Sequence, residues 1–427
     1  MTSIIRCRAA VCHALVLIAL ESLTLAAFPR EVRATTYYVD SRTGSDSGAG
    51  ISPASAWKGL TIFSAHPFIP GDSILFAKGS GYKGGFIFRQ SGTAARPIVF
   101  GSYGSGNAPA FSNPDWSVLN GNIFRIEGSH IIVSNLYFHD NTNPPTMENS
   151  HHDVQKMGAI YLGLRADSNV VKGCEFERSP VGIKIKGSYN LITGNYLHDA
   201  STQMQRTWGA IAIMIVSPHN EIAYNRIERY GYYGGAYGSD GGAIELDGVD
   251  DSFDGRDINI HHNVSVGNHG FFELAGRDID SITVAYNLSD DVDKFVGGGA
   301  MKHTIIDHNT VIRTREPNID RWIFWTFYPE GTALVVTNNI FVVPKDIQVF
   351  PQSPKPEGHH RTGIGVPVHS SNLFFSPAGN PDPVGLPLGG GELVADPMFV
   401  APTRGDYRLR AKSPARRVGA TLGYSER

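Results

Sequence analysis

The feature that most constrains this chain of 427 residues is a short repeat, in which an apolar residue is followed three positions later by asparagine. The copies end about 20 to 40 residues apart, a spacing typical of one structural repeat with loops of varying length inserted. One coil of short strands cannot bury its own apolar face, whereas stacked coils bury a continuous core. The pattern therefore predicts a solenoid of stacked strands. Its copies end at Asn135, Asn195, Asn225, Asn263, Asn287, Asn309 and Asn339, with Cys174 replacing asparagine in one copy and Asn372 closing a degenerate last one.

Asparagine suits such a repeated turn for two reasons. It tolerates left-handed backbone angles, and its amide can hydrogen-bond to the next coil. We therefore predict that these asparagines form a structural ladder and take no part in chemistry.

A second repeat lies between the asparagine motifs and consists of a glycine followed by alternating residues, beginning at Gly158, Gly182, Gly209, Gly242 and Gly270. Side chains of a strand alternate between its two faces. One set is therefore predicted to point into the core: Ile160, Ile183, Ile211, Ile244 and Phe272. The other set is predicted to point outward: Tyr161, Lys184, Ala212, Glu245 and Glu273.

The first 34 residues are predicted to be a signal peptide, since a basic start precedes an apolar run and small residues end at Ala34. The mature protein would then be secreted or periplasmic, with one domain from residue 35 to 427. It would keep a single cysteine, Cys174, which excludes an internal disulfide. The full chain has a net charge of −3, and loss of the leader makes it about −5. This charge argues against nucleic acid as a partner.

Several segments resemble the secreted right-handed parallel β-helix proteins of the pectin-lyase-like superfamily. They are Tyr37–Asp40 with Gly44–Asp46, Arg96–Phe100, Asp396–Phe399, Asp406–Leu409 and Ser413–Ala415. The resemblance implies an all-β fold. From the sequence itself, Thr35 to about Phe111 is predicted to form an N-terminal cap and the first coils, and the proline- and glycine-rich chain after about Pro344 is predicted to form loops and a last partial coil. The resemblance does not single out a reaction, because lyases, hydrolases, epimerases and adhesins share this fold.

The stretch Ile185–Asn190 is similar to the lysine-serine-asparagine stretch of the alginate lyase and chondroitinase B family. In that family the lysine is the catalytic base, which corresponds to Lys186. The chain departs from the family pattern at Val181, which stands where the family has a metal-binding glutamate. It also lacks the family's arginine-histidine-glycine motif between Trp208 and Val216.

Four carboxylates are predicted to meet on the outward face. Glu245 and Glu273 hold equivalent places in consecutive coils, about 4.8 Å apart, and Asp240 and Asp247 flank Glu245. Like charges this close require either a proton on one carboxyl or a cation such as Ca²⁺ between them. A solvated acidic surface is the alternative interpretation.

Cationic residues lie near these acids in the predicted register. Lys184 and Lys186 would project from the same face about 10 Å away, with Ala212 between them and the acids. Arg277 follows Glu273, and His269 precedes it as a candidate general base. The lysines would equally serve to balance the acidic charge.

Aromatic residues surround the predicted face and would contact sugar rings through their apolar surfaces. Tyr161, Trp208 and Phe271 belong to the strands, and a glycine-rich insertion before Asp240 adds Tyr230, Tyr232, Tyr233 and Tyr237. Local packing that holds the insertion in place would explain the same residues.

These residues favour a polysaccharide lyase that acts on a uronate-containing polymer. Ca²⁺ on Glu245, Asp247 and Glu273 would neutralise the sugar carboxylate, and Lys184 or Lys186 would remove a proton. The alternative is a glycoside hydrolase with Glu245 and Glu273 as its paired carboxylates. A glycan-binding scaffold without catalysis is the third hypothesis. In all three, the partner is a polysaccharide or oligosaccharide.

Overall fold

The computed structural model describes residues 33–142, 153–200, 209–233, 239–248, 254–275, 279–315, 322–326, 332–352 and 364–419. From Ala34 onward the chain forms one compact unit. Three long sheets, all of parallel strands, run along this unit, and each of the nine coils within residues 73–326 contributes one strand to each sheet. The described residues thus form a right-handed parallel β-helix, as the sequence predicted.

The first sheet has twelve strands, whose labels follow chain order. Its spatial order is β1 (Thr36–Val39), β2 (Ser73–Ala77), β5 (Ile98–Tyr103), β8 (Ile131–Ser134), β11 (Val170–Lys172), β14 (Leu191–Thr193), β17 (Glu221–Ala223), β23 (Asn259–His261), β27 (Thr283–Ala285), β30 (Thr304–Asp307), β33 (Leu334–Thr337) and β35 (Val368–Ser370).

The second sheet also has twelve strands. They are β3 (Gly81–Lys83), β6 (Ala110–Ser112), β9 (Tyr137–His139), β12 (Glu175–Glu177), β15 (Tyr196–His198), β18 (Arg226–Glu228), β24 (Val264–Val266), β28 (Leu288–Asp290), β31 (Thr310–Ile312), β34 (Ile340–Val342), β36 (Leu373–Phe375) and β37 (Leu393–Val394).

The third sheet has nine strands and carries the glycine-led repeat. In chain order they are β4 (Phe86–Phe88), β7 (Phe124–Ile126), β10 (Ile160–Leu162), β13 (Val181–Ile185), β16 (Ile211–Ile215), β21 (Gly242–Leu246), β25 (Phe272–Leu274), β29 (Val296–Gly298) and β32 (Phe324–Thr326).

Short two-stranded pairs and 3₁₀ turns complete the described secondary structure. The pairs are β19 (Tyr232–Tyr233) with β20 (Ser239–Asp240), β22 (Gly255–Arg256) with β26 (Ile279–Asp280), and β38 (Phe399–Ala401) with β39 (Asp406–Leu409). The 3₁₀ turns are Pro53–Ser55, Thr61–Ser64, Leu119–Gly121 and Pro402–Arg404. No helix among the described residues is long and apolar enough to cross a membrane.

The asparagine ladder is present and fully buried from Asn195 to Asn372. Each side-chain oxygen accepts hydrogen bonds from the coil before it, as when Asn263 Oδ1 accepts from the backbone N–H of Asn225 at 3.0 Å. Each amide also donates to a neighbouring backbone carbonyl, which for Asn263 is that of Ile222 at 2.8 Å. The ladder satisfies polar backbone groups at a corner where the sheets do not, which confirms its structural role.

Two details of the predicted ladder are wrong. Val133 pairs with Val171, so Leu136 holds the ladder position that Cys174 holds in the next coil, and exposed Asn135 lies one residue before it. The left-handed angles also belong to the residue before each ladder asparagine, for example Tyr224 at φ 58°. The ladder side chain must point inward to bond, so the sharp turn falls on its outer neighbour.

We expect Asn263→Ala to lower the free energy of unfolding by about 2 to 4 kcal/mol, because it leaves buried backbone groups without partners. Equilibrium urea unfolding of the variant checks this. Asn135→Gly is the matched control: it preserves the left-handed turn outside the ladder, and its unfolding midpoint should stay close to that of the parent. Equal losses for both variants would contradict the structural ladder.

The register of the third sheet follows the prediction except at β16. Ile183 pairs with Ile213 and not with Ile211, and Ile213 pairs in turn with Ile244. Ala212 therefore packs in the core, while Met214 takes the outward place between Lys184 and Glu245. The sequence Ala210-Ile211-Ala212-Ile213 permits either alignment, because it repeats itself after two residues.

Ile211 was predicted to point inward and Phe271 outward, and both predictions are wrong. Ile211 packs with Val181 and Met214 in a small cluster separate from the main core. Phe271 belongs to the main core and stacks on Phe295 with ring centroids 5.2 Å apart. Phe271 lies immediately before the inward-facing Phe272, and Ala243 holds the equivalent place before Ile244 in the preceding coil. Both Phe271 and Ala243 pack in the main core.

The C-terminal hairpin of β38 and β39 packs over the second sheet through a second apolar cluster. Tyr407 belongs to that cluster, and its hydroxyl donates to Asp290 Oδ2 at 2.8 Å. Segments that were similar to the ends of β-helix proteins thus form the hairpin that closes this region.

Candidate functional site

The predicted acidic group exists on the outer face of the third sheet. Glu245 and Glu273 are directly paired in β21 and β25, so their side chains point the same way from neighbouring strands. Oxygen atoms of Glu245, Glu273 and Asp240 lie within 4.8 Å of one another. We call Asp240, Glu245 and Glu273 the acidic cluster.

A hairpin within the tyrosine-rich insertion positions Asp240. Tyr232 pairs with Asp240 in the antiparallel ladder of β19 and β20, and the hairpin ends where β21 begins. The backbone N–H of Gly241 donates to Asp240 Oδ1 at 2.8 Å, which orients the carboxyl. The backbone of Asp240 also packs closely against Gly209. Glycine permits this close contact, because a Cβ atom at residue 209 would collide with the carbonyl oxygen of Asp240.

Two members of the acidic cluster, Asp240 and Glu245, have raised pKa values. Burial raises the pKa of Glu245 well above its usual range, and the negative charge of Glu273 raises it further. Burial and the charge of Glu273 also raise the pKa of Asp240 to about 7. Glu245 is only 2% exposed, and its Oε2 has no hydrogen-bond partner among the described residues. Burial therefore favours the protonated form of Glu245.

Glu273 has a different environment, since a lysine pairs with it. Lys294 Nζ lies 2.7 Å from Glu273 Oε2, and the lysine side chain is only 3% exposed. The positive charge of Lys294 also acts against the rise in the pKa of both Asp240 and Glu245. The site thus combines a carboxyl whose environment favours the protonated form with a carboxyl that is ion-paired with lysine.

His269 lies behind this ion pair and does not face an open surface. Its Nδ1 is 3.4 Å from Lys294 Nζ and 3.3 Å from the carbonyl oxygen of Gly241. Its Nε2 is 3.7 Å from Asp293 Oδ2, and both side chains are fully buried. His269 is therefore positioned to hold the Lys294 ammonium in place.

Lys184 is held by an interaction that the sequence did not predict. Its Nζ donates to Gln155 Oε1 at 2.5 Å, and Gln155 Nε2 donates to Asp247 Oδ2 at 3.0 Å. Lys184 was predicted to project outward, but its side chain is fully buried and does not reach solvent. Gln155 instead links Lys184 to Asp247 across the intervening strand.

Three of the four predicted metal ligands remain together. Asp240, Glu245 and Glu273 form the group of carboxylates that is close enough to share a cation, among the residues described. Asp247 is outside this group and accepts from Gln155, although its charge still raises the pKa of Glu245.

The other predicted residues are dispersed. Lys186 follows β13, is largely buried, and its carbonyl accepts from the Ser217 hydroxyl at 2.7 Å. Tyr161 does face outward, but it lies three strands before Glu245 and packs under the Arg125 guanidinium. Tyr230 is in the core, and burial raises the pKa of its hydroxyl far above the usual value.

The remaining predicted residues lie wholly or partly outside the description. Trp208, Tyr237 and Arg277 fall in undescribed segments, and only the backbone of Tyr232 and Tyr233 is described.

Sequence reasoning missed two polar members of the site. Lys294 replaces glycine at the start of a further copy of the second repeat, Lys294-Phe295-Val296-Gly297, and a longer alignment of the copies would have found it. Gln155 comes from an insertion before β10, and no periodicity points to it.

Comparisons with known proteins agree with the architecture. Residues 103–250 match the family described as right handed beta helix region. The structure of XylC in complex with xylose superposes with a TM-score of 0.52 at 11% identity, over 82% of this chain and 76% of that chain. This chain is a right-handed parallel β-helix protein.

Two further similarities concern proteins with named activities. A lacto-N-biosidase of Bifidobacterium longum is 39% identical over 74 residues, which make up 16% of this β-helix protein and 5% of that relative. A PL6 family polysaccharide lyase from Pseudopedobacter saltans has 13% identity and a TM-score of 0.45, over 83% of this chain and 96% of that chain.

Proposed function

We propose that this β-helix protein is a carbohydrate-active enzyme that hydrolyses a glycosidic bond, with Glu245 as the general acid and Glu273 as the nucleophile. One observation carries the proposal: a buried carboxyl with a strongly raised pKa lies beside a carboxylate that is ion-paired with Lys294. Glycoside hydrolysis requires two carboxyl groups in different environments, one that favours the protonated form and one that favours the ionised form.

The separation of the two groups favours the retaining mechanism. One oxygen atom of each group lies within 4.8 Å of the other, and the two residues are direct partners on neighbouring strands. This proximity suits the separation of about 5 Å in retaining enzymes better than the roughly 6.5 Å or more that an inverting enzyme needs for a water molecule. The 39% identical segment of a lacto-N-biosidase, a glycosidase by its name, also supports hydrolysis.

The reaction follows from these positions. Glu245 gives its proton to the glycosidic oxygen as that oxygen leaves the anomeric carbon, and Glu273 forms a bond to the same carbon. Water then attacks the anomeric carbon and gives its proton to the Glu245 carboxylate, and the bond to Glu273 breaks. Lys294 holds the Glu273 carboxylate in place before and after this covalent step.

The sequence favoured a lyase, and the acidic cluster retains one argument for it. Three carboxylates with oxygens this close are suited to Ca²⁺, which prefers oxygen ligands, and Glu245 Oε2 has no hydrogen-bond partner among the described residues. Two observations support hydrolysis over the lyase. The ammonium of Lys294 already neutralises Glu273, and Lys184 is fully buried against Gln155, where it does not reach a sugar proton.

Product analysis separates the two reactions. The mature protein is incubated with a panel of neutral and acidic oligosaccharides and polysaccharides, with and without a chelator. We expect new reducing ends that are insensitive to the chelator, without the ultraviolet absorbance of unsaturated uronate. That absorbance, lost on chelation, would instead establish the lyase, and no product from any substrate would leave a glycan-binding scaffold.

The role of Glu273 is tested separately by Glu273→Ala with added azide. We expect a loss of activity of about 10²- to 10⁴-fold, partly restored by azide, because the small anion fills the vacated space and attacks the anomeric carbon. The product should be a glycosyl azide of inverted anomeric configuration, because azide attacks once from the face that Glu273 occupied, and mass spectrometry and NMR identify it. Glu221→Ala, which removes an exposed glutamate of the first sheet, should keep full activity without azide. Full activity of Glu273→Ala would reject the assignment.

A further inference from the structure

The outer face of the third sheet carries one row of residues in register with Glu245, one from each strand. From β10 to β25 the row is Tyr161, Lys184, Met214, Glu245 and Glu273. Lys184 and Met214 are 0% exposed and Glu245 is 2% exposed, whereas the Glu273 side chain is 18% exposed. The row therefore opens to solvent at Glu273.

A described insertion covers the row on the side before Glu245. Val154 and Met157 of this insertion pack on Met214 and on Ile211 of the same strand, in an apolar cluster that is fully buried. Gln155 between them bonds to Lys184. Residues 153–157 thus lie across the outer face of β13 and β16.

An aromatic side chain covers the row on the side after Glu273. Gly297 of β29 has no side chain, and a Cβ atom there would collide with the indole of Trp325, which lies above it. Trp325 itself comes from β32 and is 1% exposed. Trp325 therefore forms a wall one strand beyond Glu273.

A third boundary lies at the start of β21, where the β19–β20 hairpin presents Asp240 to the acidic cluster. Described residues thus bound the site on three sides and leave about one strand spacing, or about 4.8 Å, between them along the solenoid. A glycan chain that passes through the site along the sheet needs a groove several strands long.

We propose that the site accepts the end of a glycan chain and releases short terminal units, and that it does not cut within long chains. This inference deepens the proposed hydrolysis and rests on it. The covering residues 153–157 and Trp325 are the specificity determinants, because they block the positions that further sugars of a continuous chain would occupy.

The experiment follows product size with time on the polysaccharide or oligosaccharide series that the panel identifies. We expect mono- or disaccharides from the first time point, while the mean length of the remaining polymer stays nearly constant. A cyclic oligosaccharide of the same linkage should remain uncut. Early products of intermediate length, or cleavage of the cyclic substrate, would overturn the inference while leaving hydrolysis intact. No hydrolysis of any substrate would reject the proposed function, and the inference with it.

A variant tests the wall itself. Trp325→Ala should produce intermediate-length products that the parent does not make, because it opens the face beyond Glu273. Trp57→Ala is the matched control for loss of a buried tryptophan: Trp57 is 2% exposed and belongs to the first coils of the chain, so its product pattern should not change. Thermal melting of both variants defines the temperature at which the assay uses folded protein. An unchanged product pattern for folded Trp325→Ala counts against Trp325 as a determinant.

Discussion

Glu245→Gln should abolish most hydrolysis, with kcat reduced by about 10²- to 10⁴-fold. Glutamine preserves the shape of the side chain, but its amide cannot give a proton to a leaving oxygen. The rate of bond cleavage should fall least for substrates with a good leaving group, because their leaving oxygen needs no proton from residue 245. Steady-state kinetics with an activated aryl glycoside and a natural glycan measures this difference.

The same substitution should stabilise the fold at neutral pH. The pKa of Glu245 is raised in the folded state, so the group favours folding most at low pH, and this contribution is lost as the pH rises through the folded pKa. Glutamine carries no such titration. Urea unfolding should therefore show a gain in the free energy of unfolding for Glu245→Gln near pH 7, and the gain should shrink towards pH 4.

Glu221→Gln is the matched control, because it changes an exposed glutamate in the same way outside the acidic cluster. It should keep the activity of the parent and its unfolding midpoint at both pH values. Near-normal kcat for Glu245→Gln on the natural glycan would remove Glu245 from the mechanism. Equal stability of variant and parent at pH 7 would contradict the raised pKa.

Lys294→Met should shift the alkaline limb of the activity profile to higher pH and reduce kcat/KM at neutral pH by roughly 10- to 100-fold. Lys294 opposes the rise in the pKa of Asp240 and Glu245, so its loss lets both groups hold protons at still higher pH. It also removes the ion-pair partner of Glu273, a carboxylate that lies beside the two other acids of the cluster. The measurement is kcat/KM across the pH range in which the variant stays folded.

Two companion variants separate this electrostatic role from a packing role. Lys294→Arg keeps the charge and should keep the alkaline limb near its original position, even where the absolute rate falls. Lys172→Met removes an exposed lysine of β11 in the first sheet and should leave the profile unchanged. An alkaline limb that stays in place in Lys294→Met would show that Lys294 only fills space.

The sequence predicted the site in part because strand pairing makes equivalent positions neighbours. Glu245 and Glu273 follow glycine-led strands at the same offset, and the structure pairs them directly. The same reasoning failed at β16, where the repeated alanine-isoleucine pattern hid the true register and placed Ala212 where Met214 lies. It also failed at Phe271, since an aromatic residue before a strand gives no signal of the face to which it turns.

The sequence by itself determined the solenoid, the buried ladder from Asn195 to Asn372 and the pairing of Glu245 with Glu273, because each depends on a periodicity that stacked coils repeat. Only the tertiary structure decided that Gln155 holds Lys184, that Lys294 pairs with Glu273 and that Trp325 covers Gly297. These contacts join insertions and coils that no period relates. They exist because the third sheet brings distant segments together over one face, and they determine which carboxyl keeps its proton and how much of the face stays open.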